Sequence, residues 1–137
     1  MLEAMIAHAR GARERAYAPY SRHPVGACVR GVGGGLYAGC NIENAAYPLG
    51  QCAEAGAIAA MLLDGETRIA EVVVLGPGEA LCTPCGGCRQ RLREFAGPAV
   101  PVHICGPAGV QLSTTLGALL PHAFGPANLA PDDVGGA

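Results

Sequence analysis

The sequence predicts an α/β domain in which helices cover both faces of a central mixed sheet of five strands. Segments whose apolar residues recur at helical spacing alternate along the chain with short runs of strand-forming residues. One run, at residues 70–75, is almost wholly apolar and rich in valine, which is typical of a strand buried on both faces. Half of the 137 residues are hydrophobic and only 15% are charged, so a disordered chain is excluded.

The first half of the chain is predicted to form a helix, a hairpin and a second helix. Residues 2–16 repeat apolar positions at helical spacing and are followed by Pro19, which cannot continue a helix. Residues 25–29 and 36–40 are predicted strands joined by a glycine-rich turn. Residues 52–63 are apolar on almost every side of a helix, so we expect this helix to be buried.

The second half is predicted to add a helix over residues 86–95, two further strands and a short final helix. The strand at residues 100–104 contains Pro101, which favours a position at the edge of the sheet. A short strand near residues 110–112 and a helix over residues 115–120 follow. We expect the helix over residues 86–95 to turn three arginines towards solvent: Arg89, Arg91 and Arg93.

No linker or shift in composition divides the chain. We therefore expect one domain over residues 1–130 and a frayed tail over residues 131–137. The first residues include Glu3 and lack the apolar stretch of a secretion signal, and the aliphatic run at residues 55–63 is too short to span a bilayer. These features predict a cytoplasmic protein that does not enter the membrane.

Charge and cysteine content narrow the range of possible functions. The formal net charge of -2 disfavours a polynucleotide partner, which usually requires a basic surface. Seven cysteines cannot all pair with one another, and in a reducing compartment cysteine clusters favour metal binding or catalysis. Three of the seven, at or beside predicted strands, are expected to be core residues: Cys28, Cys40 and Cys105.

The candidate chemistry lies at the starts of two predicted helices. Cys85 and Cys88 are three positions apart, so the first turn of a helix brings their sulfurs close enough to bind one metal ion. A third thiolate from Cys52 would give a tetrahedral zinc site with one open position, as catalytic sites have. Glu54 follows two residues later and could transfer protons there without being a ligand.

Two other interpretations of these cysteines stay open at this point. Cys85 and Cys88 could be buried thiols without a metal, because cysteine is often fully buried. Cys82 precedes them at the same spacing, which resembles part of an iron–sulfur motif. If Cys52 completed a closed four-thiolate site with these three cysteines, no position would stay open and Glu54 would have no role in proton transfer. If it does not, we expect Cys82 to be a core thiol.

At these residues the sequence resembles the cytidine deaminase family, in particular its small homotetrameric members with three cysteine zinc ligands. The resemblance extends from about residue 17 to residue 129 and implies that family's three-layer α/β/α fold. Six motifs carry it: Ala-Pro-Tyr-Ser at 18–21, Pro-Val-Gly-Ala at 24–27, Asn-Ile-Glu-Asn-Ala-Ala-Tyr at 41–47, Cys-Ala-Glu at 52–54, Pro-Cys-Gly-Gly-Cys-Arg-Gln at 84–90 and Leu-Pro-His-Ala-Phe at 120–124.

The resemblance implies zinc-dependent hydrolytic deamination of cytidine and deoxycytidine, with release of ammonia, in pyrimidine salvage. It assigns the zinc ion to Cys52, Cys85 and Cys88. It also implies that Glu54 takes a proton from water, delivers it to N3 of the cytosine ring and then helps ammonia to leave. A related enzyme acting on another small aminated heterocycle is the alternative, as is a zinc-binding module without activity.

The resemblance further implies a nucleoside site shared between the subunits of a homotetramer. Asn41 and Glu43 match the ribose-binding residues, and Phe124 matches an aromatic residue that stacks on the base from a neighbouring subunit. The remaining matches are the backbone of Ala53 and Thr83 at the base edge, and Tyr47 near the subunit interface.

Two positions depart from the family pattern. Ala55 stands where many relatives have an arginine that bonds the metal thiolates, although three thiolates leave a zinc site negatively charged. We expect Arg89 or backbone N–H groups to replace part of that missing charge. His23 stands where the family usually has phenylalanine against the nucleoside, so it is a candidate substrate-binding residue with an added polar group.

Overall fold

A mixed five-stranded sheet forms the centre of the computed structural model, which describes residues 1–129. The strand order is β2-β1-β3-β4-β5, with β3 and β4 parallel and the other neighbours antiparallel. This confirms the predicted mixed sheet, while the tail predicted over residues 131–137 lies outside the described residues. The strands are β1 (Gly26–Gly31), β2 (Leu36–Cys40), β3 (Ile69–Leu75), β4 (Pro101–Gly106) and β5 (Gly109–Thr115).

Within residues 1–129, four helices flank the sheet and two single 3-10 turns lie in the loops. The longest helix has 12 residues, fewer than the roughly 20 that a membrane-spanning helix needs, so no helix of residues 1–129 crosses a bilayer. The helices are α1 (Leu2–Arg13), α2 (Ala53–Leu63), α3 (Gly86–Phe95) and α4 (Leu116–Leu119); the turns are Tyr47–Leu49 and Pro126–Asn128.

The alternation of β3 divides the core between the two faces of the sheet. Val72 and Val74 face the side of α2 and α3, and Val73 and Leu75 face α1, because successive side chains of a strand point to opposite faces. The first core cluster includes residues of α2, α3 and α4, while the second is centred on Met5 and other residues of α1. The three-layer α/β/α arrangement is therefore confirmed.

Three sequence expectations about these elements were wrong. β4 lies inside the sheet rather than at its edge, and Pro101 is tolerated because it is the first residue of the strand. Helix α2 is buried on one face only, since the side chains of Leu62 and Leu63 are 41% and 91% exposed on the single chain. Helix α1 also ends earlier than expected, at Arg13.

The sheet brings the starts of α2 and α3 to one end of the molecule. Helix α2 packs closely against β2 because Gly39 has no side chain; a Cβ atom there would overlap the backbone of Ala53 and Ala57. Helix α3 begins after the loop that leaves the carboxyl end of β3, and it forms the crossover to the parallel strand β4. Cys52 and Cys85 are the N-cap residues of these two helices.

Candidate metal centre

Three thiols meet where α2 and α3 begin. Cys52 and Cys85 stand at the N-caps, Cys88 lies in the first turn of α3, and all three sulfurs lie within 4.8 Å of one another. The Sγ atoms of Cys52 and Cys85 are 3.7 Å apart. Two sulfurs bound to one tetrahedral zinc ion at its usual Zn–S distance lie about 3.8 Å apart, so Cys52 and Cys85 have the spacing of zinc ligands, and the Cys88 sulfur lies close to both. The predicted three-cysteine metal site is confirmed.

The three thiols differ in how strongly their surroundings resist ionisation. Burial raises the pKa of Cys52 and of Cys88, and the negative charge of nearby Glu54 raises both further. Burial also raises the pKa of Cys85, but the backbone N–H of Cys88 and the Cys52 thiol outweigh it, so this pKa is lowered. The start of α3 thus stabilises one thiolate before any metal binds, as helix N-termini do.

Glu54 lies beside the thiols and is buried. It is 4% exposed, and within residues 1–129 it is the one charged residue counted as buried. Burial raises the pKa of its carboxyl group, against smaller lowering effects from its own backbone N–H, the Cys88 thiol and the Arg91 charge. A carboxyl group with a raised pKa next to a metal site is suited to accepting and releasing a proton.

Two of the three arginines of α3, Arg89 and Arg93, are half-buried rather than turned towards solvent, while Arg91 is exposed as expected. Arg89, which we expected to offset the charge of the thiolates, instead donates from Nε to the carbonyl oxygen of Pro84 at 2.7 Å and from Nη1 to that of Leu119 at 2.9 Å. It is half-buried rather than solvent-facing. Arg91 contacts the metal centre instead: its Nη1 donates to the Sγ of Cys88 at 3.6 Å.

A pocket with a volume of about 370 Å³ lies on the side of Glu43. The Glu43 carboxylate accepts hydrogen bonds from the backbone N–H groups of Tyr20 and Ser21 at 2.9 and 3.2 Å, and a short one from the Ser21 hydroxyl. The Ser21 hydroxyl bond lowers the pKa of Glu43 most. The pocket is lined by Tyr20, Ser21, Glu43, Asn44, Tyr47 and Gly50.

The Asn41 side chain holds the segment that leads into β1. Its Oδ1 accepts from the backbone N–H of Val25 at 2.9 Å, and its Nδ2 donates to the carbonyl oxygen of His23 at 2.9 Å. Sequence reasoning missed this positioning role, because residues 23 and 41 become neighbours only when β1 and β2 pair. The second Nδ2 proton can still be donated to a ligand.

Cys82 stands outside the metal group. Its Sγ lies 3.6 Å from the Nε2 of His23, whereas the metal-ligating cluster found within residues 1–129 contains Cys52, Cys85 and Cys88. The closed four-thiolate alternative is therefore not supported. Cys82 and Cys40 are half-buried, so the expectation that they are core thiols was wrong, whereas Cys28 and Cys105 are buried as expected.

The remaining predicted residues surround this end of the molecule. Gln90 donates from Nε2 to the carbonyl oxygen of Phe124 at 2.8 Å, which ties the C-terminal segment to α3, and Phe124 is 58% exposed on the single chain. Ala53 is buried at the start of α2, and Thr83 is half-buried in the loop before Cys85. Tyr47 is 76% exposed, and its ring contacts that of Tyr20 edge-on at 5.9 Å between centroids.

Comparison with known sequences gives one consistent result. The model of the family described as "Cytidine and deoxycytidylate deaminase zinc-binding region" matches residues 1–104. A cytidine deaminase from Sporosarcina psychrophila is 40% identical over 129 residues, which cover 94% of this chain and 95% of that protein. A cytidine deaminase from Halalkalibacterium halodurans is 37% identical over 120 residues, covering 88% of this chain and 91% of that protein.

Solved structures agree with the sequence comparison. The crystal structure of a cytidine deaminase from Burkholderia pseudomallei superposes with a TM-score of 0.84 at 39% identity, covering 90% of this chain and 99% of that one. The structure of a cytidine deaminase from Mycobacterium tuberculosis superposes with a TM-score of 0.78 at 35% identity, covering 90% and 96% of the two chains.

Proposed function

The chain belongs to the cytidine and deoxycytidylate deaminase zinc-binding family, and we propose that it deaminates cytidine and deoxycytidine by hydrolysis. In this reaction a C4–O bond forms to water, the C4–N bond breaks, and ammonia leaves uridine or deoxyuridine behind. The observation that supports it most directly is the set of three thiols within 4.8 Å of one another beside buried Glu54.

The proton transfers are assigned to Glu54. Cys52, Cys85 and Cys88 would hold a zinc ion, which would act as a Lewis acid and make water more acidic near neutral pH. Glu54 accepts a proton from water and delivers it to N3 of the cytosine ring, and it later provides a proton to the departing amine. Its burial supports this assignment, because burial raises the pKa of the carboxyl group and so favours uptake of a proton relative to an exposed glutamate.

Nucleoside binding is assigned to the pocket beside Glu43. The Glu43 carboxylate can accept hydrogen bonds from sugar hydroxyls. Asn41 can donate its second amide proton to the same hydroxyl groups. His23 would face the nucleoside from the segment that Asn41 holds. The residues assigned to the base are the backbone of Ala53 and Thr83 at its edge and the ring of Phe124 on its face, with Tyr47 at the pocket rim.

We assign the chain, as one domain over residues 1–130, to a homotetramer whose active sites are shared between subunits. The exposed apolar side chains near the pocket support this assignment, because Tyr47 and Leu49 are 76% and 71% exposed on the single chain. Phe124 would then reach a neighbouring site. All seven cysteines are free, which supports a reducing, cytoplasmic location and a role in pyrimidine salvage.

The decisive experiment follows the loss of the cytidine ultraviolet absorption band after addition of protein with a measured zinc content. We expect turnover of cytidine and deoxycytidine that rises with zinc content, together with one ammonia molecule per product. The same protein stripped of zinc is the control. A zinc-loaded chain that leaves both nucleosides unchanged would contradict the proposal, and activity confined to other aminated heterocycles would redirect it to them.

A further inference from the structure

Negative charge accumulates at the metal centre. Three thiolates around a zinc dication leave a net negative charge on the site. Glu54, 4% exposed beside them, adds another whenever it is ionised. A cation or hydrogen-bond donor directed at the sulfurs would stabilise the ligands as thiolates and help to retain the metal ion.

The three arginines of α3 are used in three different ways. Arg89 donates to two backbone carbonyl groups of neighbouring loops. Arg93 donates from Nη1 to the carbonyl oxygen of Ala96 at 3.3 Å, near the end of the helix. Arg91 donates from Nη1 to a metal-ligating sulfur, the Sγ of Cys88, at 3.6 Å.

Helix geometry favours this contact. Cys88 and Arg91 are three positions apart on α3, so their side chains lie on one face of the helix. A long helical side chain also points back towards the N-terminus, which here is the metal centre. The same guanidinium charge acts on Glu54, whose pKa it lowers against the larger effect of burial.

The surroundings on α2 leave room for this guanidinium group. Ala55, the residue after Glu54, lines a surface depression of about 330 Å³ together with Arg91. Ile58 and Phe95 form apolar walls of the same depression. Because Ala55 has only a methyl group, it brings no competing charge or bulk towards the position that Arg91 occupies.

We infer that Arg91 is the positioning residue of the metal centre in this chain: by donating to the Cys88 thiolate it offsets the charge of the ligands and slows the loss of zinc. Arg91 contacts the ligand rather than the substrate. The inference rests on zinc binding at the three cysteines and is independent of which nucleoside is deaminated.

The test measures how fast zinc passes from the loaded protein to an excess of a colorimetric chelator. Loss of a group that supports a metal ligand usually weakens metal binding by about tenfold to a hundredfold, so we expect Arg91→Ala to release zinc at least about tenfold faster. Arg91→Lys should restore part of the retention. The matched control is Arg68→Ala, which removes one positive charge just before β3, at the strand's opposite end from the loop leading to α3.

Two further measurements separate this role from a merely structural one. In protein loaded with Co²⁺, Arg91→Ala should move the thiolate-to-metal charge-transfer band to longer wavelength, because Cys88 loses a donor. Adding Ala55→Arg to Arg91→Ala returns a guanidinium group from the other wall of the depression and should restore zinc retention.

The inference is overturned if Arg91→Ala releases zinc no faster than wild type or Arg68→Ala and leaves the cobalt band in place. Circular dichroism on each variant verifies that the fold is retained. If the zinc effect appears in protein that deaminates neither cytidine nor deoxycytidine, the role of Arg91 stands and the proposed function fails.

Discussion

Two carboxylates on opposite sides of the sheet have opposite surroundings. Glu54, on the side of α2 and α3, is 4% exposed, and burial raises its pKa. Glu71, on the α1 side, has a side chain that is 15% exposed; burial alone would raise its pKa. Bonds from His103 Nε2 at 2.7 Å and Arg30 Nη2 at 3.1 Å outweigh that effect and lower its pKa.

The contrast shows that hydrogen bonds from basic side chains stabilise the ionised form of a carboxyl group. Glu71 is fixed in its charged form and links neighbouring strands, because Arg30 stands on β1 and His103 on β4; His103 extends the link to Ser113 on β5 through Nδ1 at 2.8 Å. Such a group holds structure and gives up its proton readily. Glu54 has the thiols and the weaker effect of the Arg91 charge instead, so burial dominates and its pKa is raised, as is typical of groups that exchange protons at functional sites.

The largest expected effect comes from replacing each of these two glutamates by glutamine, one at a time. Glu54→Gln keeps the shape of the side chain but cannot shuttle a proton, so kcat should fall by about 10³-fold or more while zinc is retained. Glu71→Gln, the matched control, should leave kcat near the wild-type value. The measurements are initial rates and zinc content per chain.

Either of two outcomes would contradict the contrast between Glu54 and Glu71. Near-normal turnover by zinc-loaded Glu54→Gln would remove Glu54 from the proton transfers. A loss of turnover in Glu71→Gln as large as that in Glu54→Gln would show that both sides of the sheet serve catalysis.

Two fully buried thiols allow a second comparison between the two sides of the sheet. Cys88 and Cys28 are both 0% exposed, but Cys88 lies with the metal-binding sulfurs and Cys28 lies in the core beneath α1. Cys88→Ala should abolish stable zinc binding. Cys28→Ala should keep one zinc ion per chain and lower the free energy of unfolding by about 1 kcal/mol, the value of one buried group of that size.

Zinc content after desalting and urea denaturation measure these two effects. Stable zinc binding by Cys88→Ala would exclude Cys88 from the ligand set. Loss of zinc in Cys28→Ala, with the fold intact, would mean that the core beneath α1 supports the metal centre directly.

The metal ligands could be predicted from sequence because the signal is local. Cys85 and Cys88 share one helical turn, and Cys52 and Glu54 share another, so the spacing alone places each pair correctly. The bounds of β2 and α3 were also predicted correctly, since glycines and the Pro-Cys segment mark where they begin and end.

The partners of charged side chains could not be predicted in the same way. Helix spacing places Arg91 on the face of Cys88. The carbonyl groups that Arg89 reaches belong to loops, and the spacing along α3 does not show how those loops pack. The Glu71–His103 pair joins residues 32 positions apart on parallel strands. A polar residue on each strand, in phase with the apolar residues facing α1, was the one signal that could have indicated it.

The smallest expected effect is the contribution of Glu71 to stability and its dependence on pH. The folded state lowers the pKa of Glu71, so its ionised form is favoured by folding. Its stabilisation is therefore complete above the ordinary pKa of a glutamate, about 4.3, and is lost as the pH falls through the lowered value in the folded state. At pH 7 we expect Glu71→Gln to cost about 1 kcal/mol of unfolding free energy.

Urea denaturation of wild type and Glu71→Gln at a series of pH values measures this contribution. The difference between them should stay constant from pH 6 to pH 5 and shrink below about pH 4, as the wild-type carboxylate takes up a proton. Glu79→Gln, at an exposed carboxylate, should show little difference at any pH. A Glu71→Gln difference that grows as the pH falls would mean that the folded state favours the neutral acid, and Glu71 would then resemble Glu54 rather than contrast with it.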